Sequence, residues 1–507
     1  MRWWSVEVLV VVMLAVVHQA NASKILFLAP FSMQSHKNFF MGIAEALAAK
    51  NHTVTFVNGL KESKSRTNIR EVIIPNSDIF SQFPNKFNSS SYDTFVTILP
   101  LVPKYCGDAL RSPEIQRLQD ETFDVVMLSV VFTDCFYPFL HKLQAPFIHM
   151  SPNFLFGAHS DVSGNPHFPS MAPSTLLDIV YPLTFTSRMK NTLNDIMALA
   201  ITNYYTIPKV AVEIDEDANF ISSVRQNGSL YIVNSVETLE VPPRPYVPTV
   251  VHAGGIHCRP AQPLPLDLEQ WVAASGDAGF IFFSLGSSVK GSTMPDKYRR
   301  VLVEVFASLE QRVLWKWDED TMEDLPSNVR LAKWLPQQDI LGDPRLRLFI
   351  THGGLLSTQE ATYHAIPILG IPVFVDQHHN MRQAQNEGWG RSLAWDDLTY
   401  DLLRQNIFHV MDDTRMREEA ERRAAVMRDQ PMSPGDWVVY WVEYVIRHRG
   451  APHLRSPFIT MPWYEVYNVD VWVVVVMVVT LATYLSLRAV LALITCCCSS
   501  TTKPKQE

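Results

Sequence analysis

The run Phe349-Ile-Thr-His-Gly-Gly-Leu-Leu-Ser-Thr-Gln-Glu360 decides how this chain is read. Residues 348–351 form an apolar stretch that predicts a buried strand. Gly353-Gly354 then lets the backbone turn tightly into a helix whose free N–H groups can hold an anion. His352 and Ser357 add polar contacts at the same place. Glu360 falls one turn further along, where a carboxylate can accept both hydroxyls of a ribose. After Pro367 and Pro372, and at the end of the next apolar strand (368–375), Asp376-Gln377 offers acceptors and donors suited to a hexose. Together these groups point to a diphosphate joined to a sugar.

Each piece alone is common: strand-Gly-Gly-helix turns abound, and a lone histidine is more often a satisfied core residue. Their order and spacing make them specific. The run resembles the signature of the UDP-glycosyltransferase family, and its Leu355-Leu-Ser-Thr-Gln-Glu360 variant is most like arthropod members. The resemblance extends to Phe282-Phe-Ser-Leu-Gly-Ser287, Trp334-Leu-Pro-Gln-Gln338 and Asp429-Gln-Pro431, and covers nearly the whole chain. It implies an α/β chain of GT-B architecture, with two Rossmann-like, doubly wound domains facing a cleft. It also implies that Trp334 stacks on uracil and that Gln337 bonds the edge of the base. The reaction implied is inverting transfer of a hexose from a UDP-sugar to a hydroxyl of a small lipophilic acceptor, as in detoxification or in hormone or pigment conjugation. Glucose is the sugar that arthropod relatives generally use.

Outward from the signature, strands alternate with helices, the pattern of parallel doubly wound sheets. Strands are expected over 24–30, 54–57, 124–131, 146–150 and 229–235, with a helix over 39–50. A second series runs through 279–285, a helix over 296–309, then 313–316, 348–350 and 368–375. The proline-rich stretch 242–265 separates the two. The expected parts are a first domain over 23–241, a donor-binding domain over 266–430 and a membrane-proximal segment over 431–468. Within that segment Asp436 can cap a helix whose Trp437, Tyr440, Trp441 and Tyr444 share one face, read as packed on the body.

The ends place the chain in a compartment. Residues 1–22 have the basic, apolar and small-residue regions of a secretory signal. Residues 471–494 are long and apolar enough to cross a bilayer, with Arg488 able to snorkel. Acidic residues precede that run and Arg488, Lys503 and Lys505 close it, so the tail 495–507 is expected on the cytosolic side. The expectation is a single-pass, type I protein of the endoplasmic reticulum membrane with its catalytic domains in the lumen. Lys503 and Lys505 have retrieval-signal spacing, which topology alone also explains. Cys496-Cys-Cys498 suits palmitoylation or idle thiols equally. Only Cys106, Cys135 and Cys258 remain lumenal, an odd number that predicts no disulfide framework. Asn51, Asn88 and Asn227 match the glycosylation pattern. A formal net charge of -8 without a long basic run argues against nucleic acid as a partner. Self-association is left open.

Sugar transfer needs a base for the acceptor hydroxyl and a stabilised leaving group. His36, in the loop after the first strand, is the candidate base; a polar loop residue is the plain alternative, and the placement resembles the family's catalytic histidine. Many relatives end the strand over 123–129 on an acid, where this chain has Ser129. Asp134 is the nearest carboxylate downstream, either the partner of His36 or a helix cap. Ser287 should approach the phosphates with Gly353 and Gly354. Arg244 can reach the leaving diphosphate or be a solvated linker residue. Asp318-Glu-Asp320 has a metal-binding form but reads as a solvated acidic loop, so neither metal nor cofactor is expected. Phe80, Phe83, Phe87, Tyr92 and Phe95, with Phe154, Phe156, Phe168, Tyr181 and Phe185, offer apolar surface for an acceptor or for the core. Ser129 also motivates a rival reading, a hydrophobic-ligand carrier that keeps the nucleotide site and has lost turnover.

Overall fold

The computed structural model describes residues 22–60, 65–75, 77–82, 87 and 91–499. The expected signal segment up to residue 21, Phe83, Asn88 and the lysines of the tail lie outside the described residues. The chain divides into two units, residues 1–455 and 456–507.

The first unit holds two all-parallel sheets. The first comprises β1 (Lys24–Ala29), β2 (Thr53–Asn58), β3 (Ile69–Ile73), β4 (Val125–Ser129), β5 (Phe147–Ser151), β6 (Tyr231–Val233) and β7 (Val250–His252), in the spatial order 3-2-1-4-5-6-7. The second comprises β8 (Phe280–Ser284), β9 (Arg312–Lys316), β10 (Val329–Ala332), β11 (Leu346–Thr351), β12 (Ile368–Gly370) and β13 (Gly390–Ser392), in the order 10-9-8-11-12-13. The central strands β4 and β8 are buried at every position, as strands covered by helices on both faces must be. In each sheet the connections leave one central strand in one direction and resume on the other side of it. That reversal lies between β1 and β4 in the first sheet and between β8 and β11 in the second, and loops at such points are where open parallel sheets bind ligands.

Helices that bear on function are α1 (Gln34–Ala49), α2 (Phe185–Ile201), α3 (Gln337–Leu341), α4 (Leu355–Tyr363), α5 (Gln377–Asn386) and α6 (Pro434–Arg447). The proline-rich stretch is only partly a connector, because Val250, Val251 and His252 pair with Tyr231, Ile232 and Val233 and complete the first sheet. The apolar run over 368–375 gives a strand of only three residues, and Val375 then turns at φ 55°.

Helix α6 returns to the first sheet. Its buried side is Val438, Val439, Val442 and Val445, packed with Ile25, Phe27 and Phe40, while Trp437 and Tyr440 face outward. Of the aromatic face predicted to pack, Trp441 does lie against this core, while the main contact is made by the valines. The valine stripe has the same helical spacing, and shorter branched side chains fit closer to the strands. The cap is Ser433, whose Oγ accepts from Asp436 N at 3.0 Å and donates to Asp436 Oδ2 at 2.7 Å, so Asp436 at N3 supports the cap and is not itself the cap.

Cys106 and Cys135 form a disulfide with Cα atoms 5.8 Å apart, against the expectation from the odd cysteine count. Cys258 is the cysteine left over. In the second unit α7 (Val469–Ser499) contains a stretch long and apolar enough to cross a membrane, Val469–Cys497, overlapping the expected span.

Candidate functional site

On the donor side, β11 ends at Thr351 and the chain turns through His352 and Gly353, at φ 80°, into α4. Gly354 precedes the helix in an extended conformation with no side-chain cap of its own; the Asp376 carboxyl accepts from Leu355 N, and the following N–H groups of the first turn are left for an anion. The loop after β8 meets this turn. A Cβ on Gly286 would lie 2.5 Å from the His352 ring, and one on Gly354 would lie 2.6 Å from it. Both positions therefore need glycine, because the imidazole edge lies between the two turns. Ser287 is exposed beside them.

Gln337, the first residue of α3, joins the polar groups of α4: its amide donates to Ser357 Oγ at 3.1 Å and to the Glu360 carboxylate. Burial pushes the Glu360 carboxyl up to about 7, and the hydrogen bond from Gln337 pulls the other way. Trp334 is 72% exposed, a large indole left bare at the edge of the same groups. The structure thus gathers Ser287, Trp334, Gln337, His352, Gly353, Gly354, Ser357 and Glu360 at the carboxyl ends of the second sheet.

Asp376 and Gln377 begin α5. The Gln377 Oε1 accepts from Val373 N at 2.9 Å and Phe374 N at 3.1 Å, which leaves its amide hydrogens as the group it can offer. The carboxyl of Asp376 is raised by burial and accepts from Asn380 Nδ2 at 2.8 Å; the same amide donates to Gly353 O at 3.0 Å.

Two residues that sequence reasoning passed over belong here. Asn380 ties Asp376 to the Gly353 turn, and its i+4 spacing from Asp376 on one helix face was the available signal. Lys316 ends β9; its Nζ donates to Gly286 O at 2.7 Å and lies 5.6 Å from the Trp334 ring centroid. A lysine closing the strand at its carboxyl end, after the apolar Val313-Leu-Trp315, was the available signal.

On the acceptor side, His36 is the third residue of α1, just after the β1 loop, and is 8% exposed. Desolvation lowers its imidazole to about 4, so the ring is neutral near pH 7. Its neighbour Lys37 anchors the turn: the ammonium donates to Leu60 O at 2.7 Å and Glu71 Oε2 at 2.8 Å. The edge of Phe80 meets the His36 ring with centroids 6.0 Å apart, and Phe132 lies 6.1 Å beyond Phe80. Phe87 packs on Trp395, whereas Phe168, Tyr181 and Phe185 are exposed. The two halves meet where Ser288 Oγ lies 3.6 Å from the sulfur of Met33, the residue that precedes α1.

The expected dyad is not assembled. No hydrogen bond or ion pair joins Asp134 to His36, and among the described residues His36 Nδ1 has no hydrogen-bond partner. Asp134 faces Arg225, with Oδ1 3.7 Å from Nε, and Arg225 is also held by Asp161 at 2.7 Å. Nor is Asp134 a cap: it lies in the first turn of a 3₁₀ helix preceded by Thr133. Ser129 is occupied by its own loop, with Oγ accepting from Val131 N at 3.3 Å.

Arg244 makes no hydrogen bond to the donor turn among the described residues, although it shares a pocket with Leu355 and Asn380. It lies 3.7 Å from the Glu240 carboxylate in the connector, lining a pocket on the side of α4 formed by Leu355, Thr358, Gln359 and Thr362. Asp318 accepts from Ser292 N at 2.9 Å and Asp320 pairs with Lys333 at 2.9 Å, so each acid of the Asp-x-Asp run has its own local partner. Asn51 is exposed in a turn with φ 69°, and Asn227 is exposed with its side-chain Oδ1 accepting from Arg455 Nη1 at 3.1 Å.

Comparison with known proteins agrees with this geometry. The model of the family described as UDP-glucoronosyl and UDP-glucosyl transferase matches residues 7–504. The chain is 32% identical over 504 residues to UDP-glycosyltransferase UGT5 of Dactylopius coccus, covering 94% of each chain. It is 32% identical over 378 residues to human UDP-glucuronosyltransferase 2B7, covering 73% of this chain and 70% of the relative. Among solved structures, the glycotransferase of kitacinnamycin superposes with a TM-score of 0.59 at 16% identity, over 85% of this chain and 100% of that one. A UDP-glucosyltransferase from Polygonum tinctorium superposes with a TM-score of 0.58 at 16% identity, over 85% and 100%. The fold they share with this chain is GT-B.

Proposed function

Because the chain belongs to the UDP-glucuronosyl and UDP-glucosyl transferase family, and is an enzyme of the glycosyltransferase class, we propose that it transfers a hexose, glucose first among candidates, from a UDP-sugar to the hydroxyl of a small lipophilic acceptor with inversion. The observation that carries this reading is the approach of the His36 loop to the Gly286–Ser288 loop through Met33 and Ser288, which sets a neutral imidazole opposite the donor turn.

The roles proposed for the residues combine this geometry with what the family resemblance implies. Trp334 takes the uracil face and Gln337 its edge. Glu360 accepts the ribose hydroxyls, and the open N-terminus of α4 with His352 meets the diphosphate. Asp376 and the free amide of Gln377 bind the hexose. His36 accepts the proton of the acceptor hydroxyl as the new C1–O bond forms and the bond to UDP breaks, and the leaving charge stays on the diphosphate. Phe80 and Phe132 give the acceptor an apolar wall beside the base. The reading needs no metal. It places the body in the lumen of the endoplasmic reticulum, held by α7, with Asn51 and Asn227 as glycan acceptors.

A panel of UDP-sugars with phenol and steroid acceptors, run on recombinant microsomes, tests it. Glucoside formation from UDP-glucose is expected, unaffected by chelator. Exclusive use of UDP-glucuronic acid would correct the sugar, and loss of activity in chelator would bring back Asp318 and Asp320. Donor binding without transfer to any acceptor would favour the carrier reading, for which the missing carboxylate partner of His36 is the supporting observation.

A further inference from the structure

The ring of His36 stands without electrostatic support. Its Nδ1 is buried and has no hydrogen-bond partner among the described residues. For Nε2 to take a proton, Nδ1 must carry the hydrogen of the neutral ring, and after the transfer both nitrogens carry one. A buried N–H without an acceptor is costly, and a buried cation without an anion more so. The carboxylates in reach of the surrounding loops are engaged elsewhere. Asp134 faces Arg225, Glu71 is shared by Lys37 at 2.8 Å and Arg66 at 3.3 Å, and Asp78 accepts from Ser81 N at 3.0 Å. The adjacent strand offers no charge either. Leu128 pairs with Leu28, so Ser129 ends β4 level with Ala29 at the end of β1, fully buried, with its Oγ accepting from Val131 N and its carbonyl from Thr133 Oγ1.

What borders the ring is aromatic. Phe80 meets it edge-on, and Phe132, from the loop that follows Ser129, lies beyond Phe80. Such a wall suits a flat apolar acceptor and gives an imidazolium nothing to pair with. Desolvation weakens the base in the same sense. Resting on the reading of His36 as the base, we propose that this enzyme selects acceptors by the acidity of the hydroxyl, taking phenols and passing over aliphatic alcohols, and that Ser129 sets this limit by leaving the ring without a carboxylate. A phenol gives up its proton at about 10, whereas an aliphatic alcohol stands close to water, at ~15.7. In the step itself the hydroxyl proton moves to Nε2, the oxygen's electron pair forms the bond to C1 of the sugar, and UDP leaves with the pair of the bond that breaks. The imidazolium then returns its proton to water. An acidic hydroxyl needs little help in this transfer; an alcohol needs a base whose charged form is stabilised, and that is what is missing. The observation that favours a carrier is thus, in a transferase, a limit on the acceptor.

The test uses full-length protein in microsomes and two isomeric tetrahydronaphthols of one formula, with the hydroxyl on the aromatic ring in one and on the saturated ring in the other. Each is supplied with UDP-glucose and, separately, with UDP-glucuronic acid. The wild type should favour the phenol roughly 100- to 10,000-fold in kcat/KM, mainly through kcat. Ser129→Asp should narrow that gap by about tenfold or more, by raising kcat on the alcohol, with UDP affinity unmoved. If the variant fails to fold, the wild-type ratio still decides. Transfer to the alcohol within about tenfold of the phenol by the wild type would overturn the proposal. So would a folded Ser129→Asp protein with an unchanged ratio. Either result leaves the transferase reading standing, whereas no product from either isomer with either donor would overturn that reading and this inference together.

Discussion

Glu360 and Asp134 are both carboxyl groups displaced upward by burial, yet their surroundings assign them different work. Ribose hydroxyls donating to Glu360 would favour its ionised form, so donor binding should release a proton. Its carboxyl stands at about 7 in the free protein, so the affinity for UDP should rise as pH increases through neutrality. Calorimetry with UDP at about pH 6 and about pH 8 checks this: the wild type should tighten more than Glu360→Gln, which retains only the slope from the phosphate itself. Equal slopes would remove Glu360 from ribose binding. For Asp134→Asn the expectation is lost stability with turnover nearly kept, because the side chain faces Arg225 and not His36. Asp161 still pairs with Arg225, so the loss should be roughly 1–3 kcal/mol, below the ~3–5 kcal/mol of a buried charge left alone. A large fall in turnover at unchanged urea midpoint would restore the dyad. The donor residues from His352 to Glu360 were legible in the sequence because their spacing is local to one turn and one helix, whereas Trp334 and Gln337 came through the family resemblance. The partner of Asp134 was not legible, since Arg225 comes from a distant helix that only folding brings near.

Among the elements, the Cys106–Cys135 bridge ties the helix at Val102–Leu110 to the turn that follows β4. Closing a loop with a sequence separation of 29 removes chain entropy worth about 3–4 kcal/mol in the unfolded state. Cys106→Ser/Cys135→Ser should therefore lower the urea midpoint clearly, with UDP affinity unaltered, because the donor groups belong to the other sheet. An unchanged midpoint would make the bridge dispensable. An odd number of lumenal cysteines hid this pair, since parity only says that at least one thiol is left over. Elements with strong apolar runs, such as β1, β4 and β8, were plain in the sequence. The edge strands β3, β10 and β13 were not: they are short and only partly buried, so no continuous apolar run marks them. Valine and tryptophan at helical spacing on α6 made two candidate inner faces, and only the shape of the sheet beneath it selects the valines.

For the molecule as a whole, burial of neutral histidines sets a limit at acid pH. His36 and His379 are lowered to about 4 and His149 to about 3, each by desolvation, whereas the unfolded chain binds protons on these rings from about 6.5 downward. The folded state binds fewer protons, so stability is fully present above pH ~6.5 and is lost as pH falls toward ~4. Glu360, Asp134 and Asp376, raised by burial, act in the opposite direction, but His159, His257 and His364, lowered to about 3, 4 and 4 by desolvation, add to the three rings above. The urea midpoint should accordingly fall between about pH 7 and about pH 5; a midpoint that holds or rises would contradict the buried, neutral state of these rings. Alternating strands and helices announced two doubly wound sheets, and the order of strands then put His36 at one reversal and the His352 turn at the other. Whether a hydroxyl is deprotonated between them is the central claim. It is tested most directly by comparing wild type and His36→Ala in full-length protein supplied with UDP-glucose and a reactive lipophilic phenol, following glucoside formation and UDP affinity together. β-Glucoside is expected from the wild type, with a loss of about 100- to 10,000-fold in the variant and UDP affinity essentially unchanged. Equal turnover by the two proteins would contradict that claim.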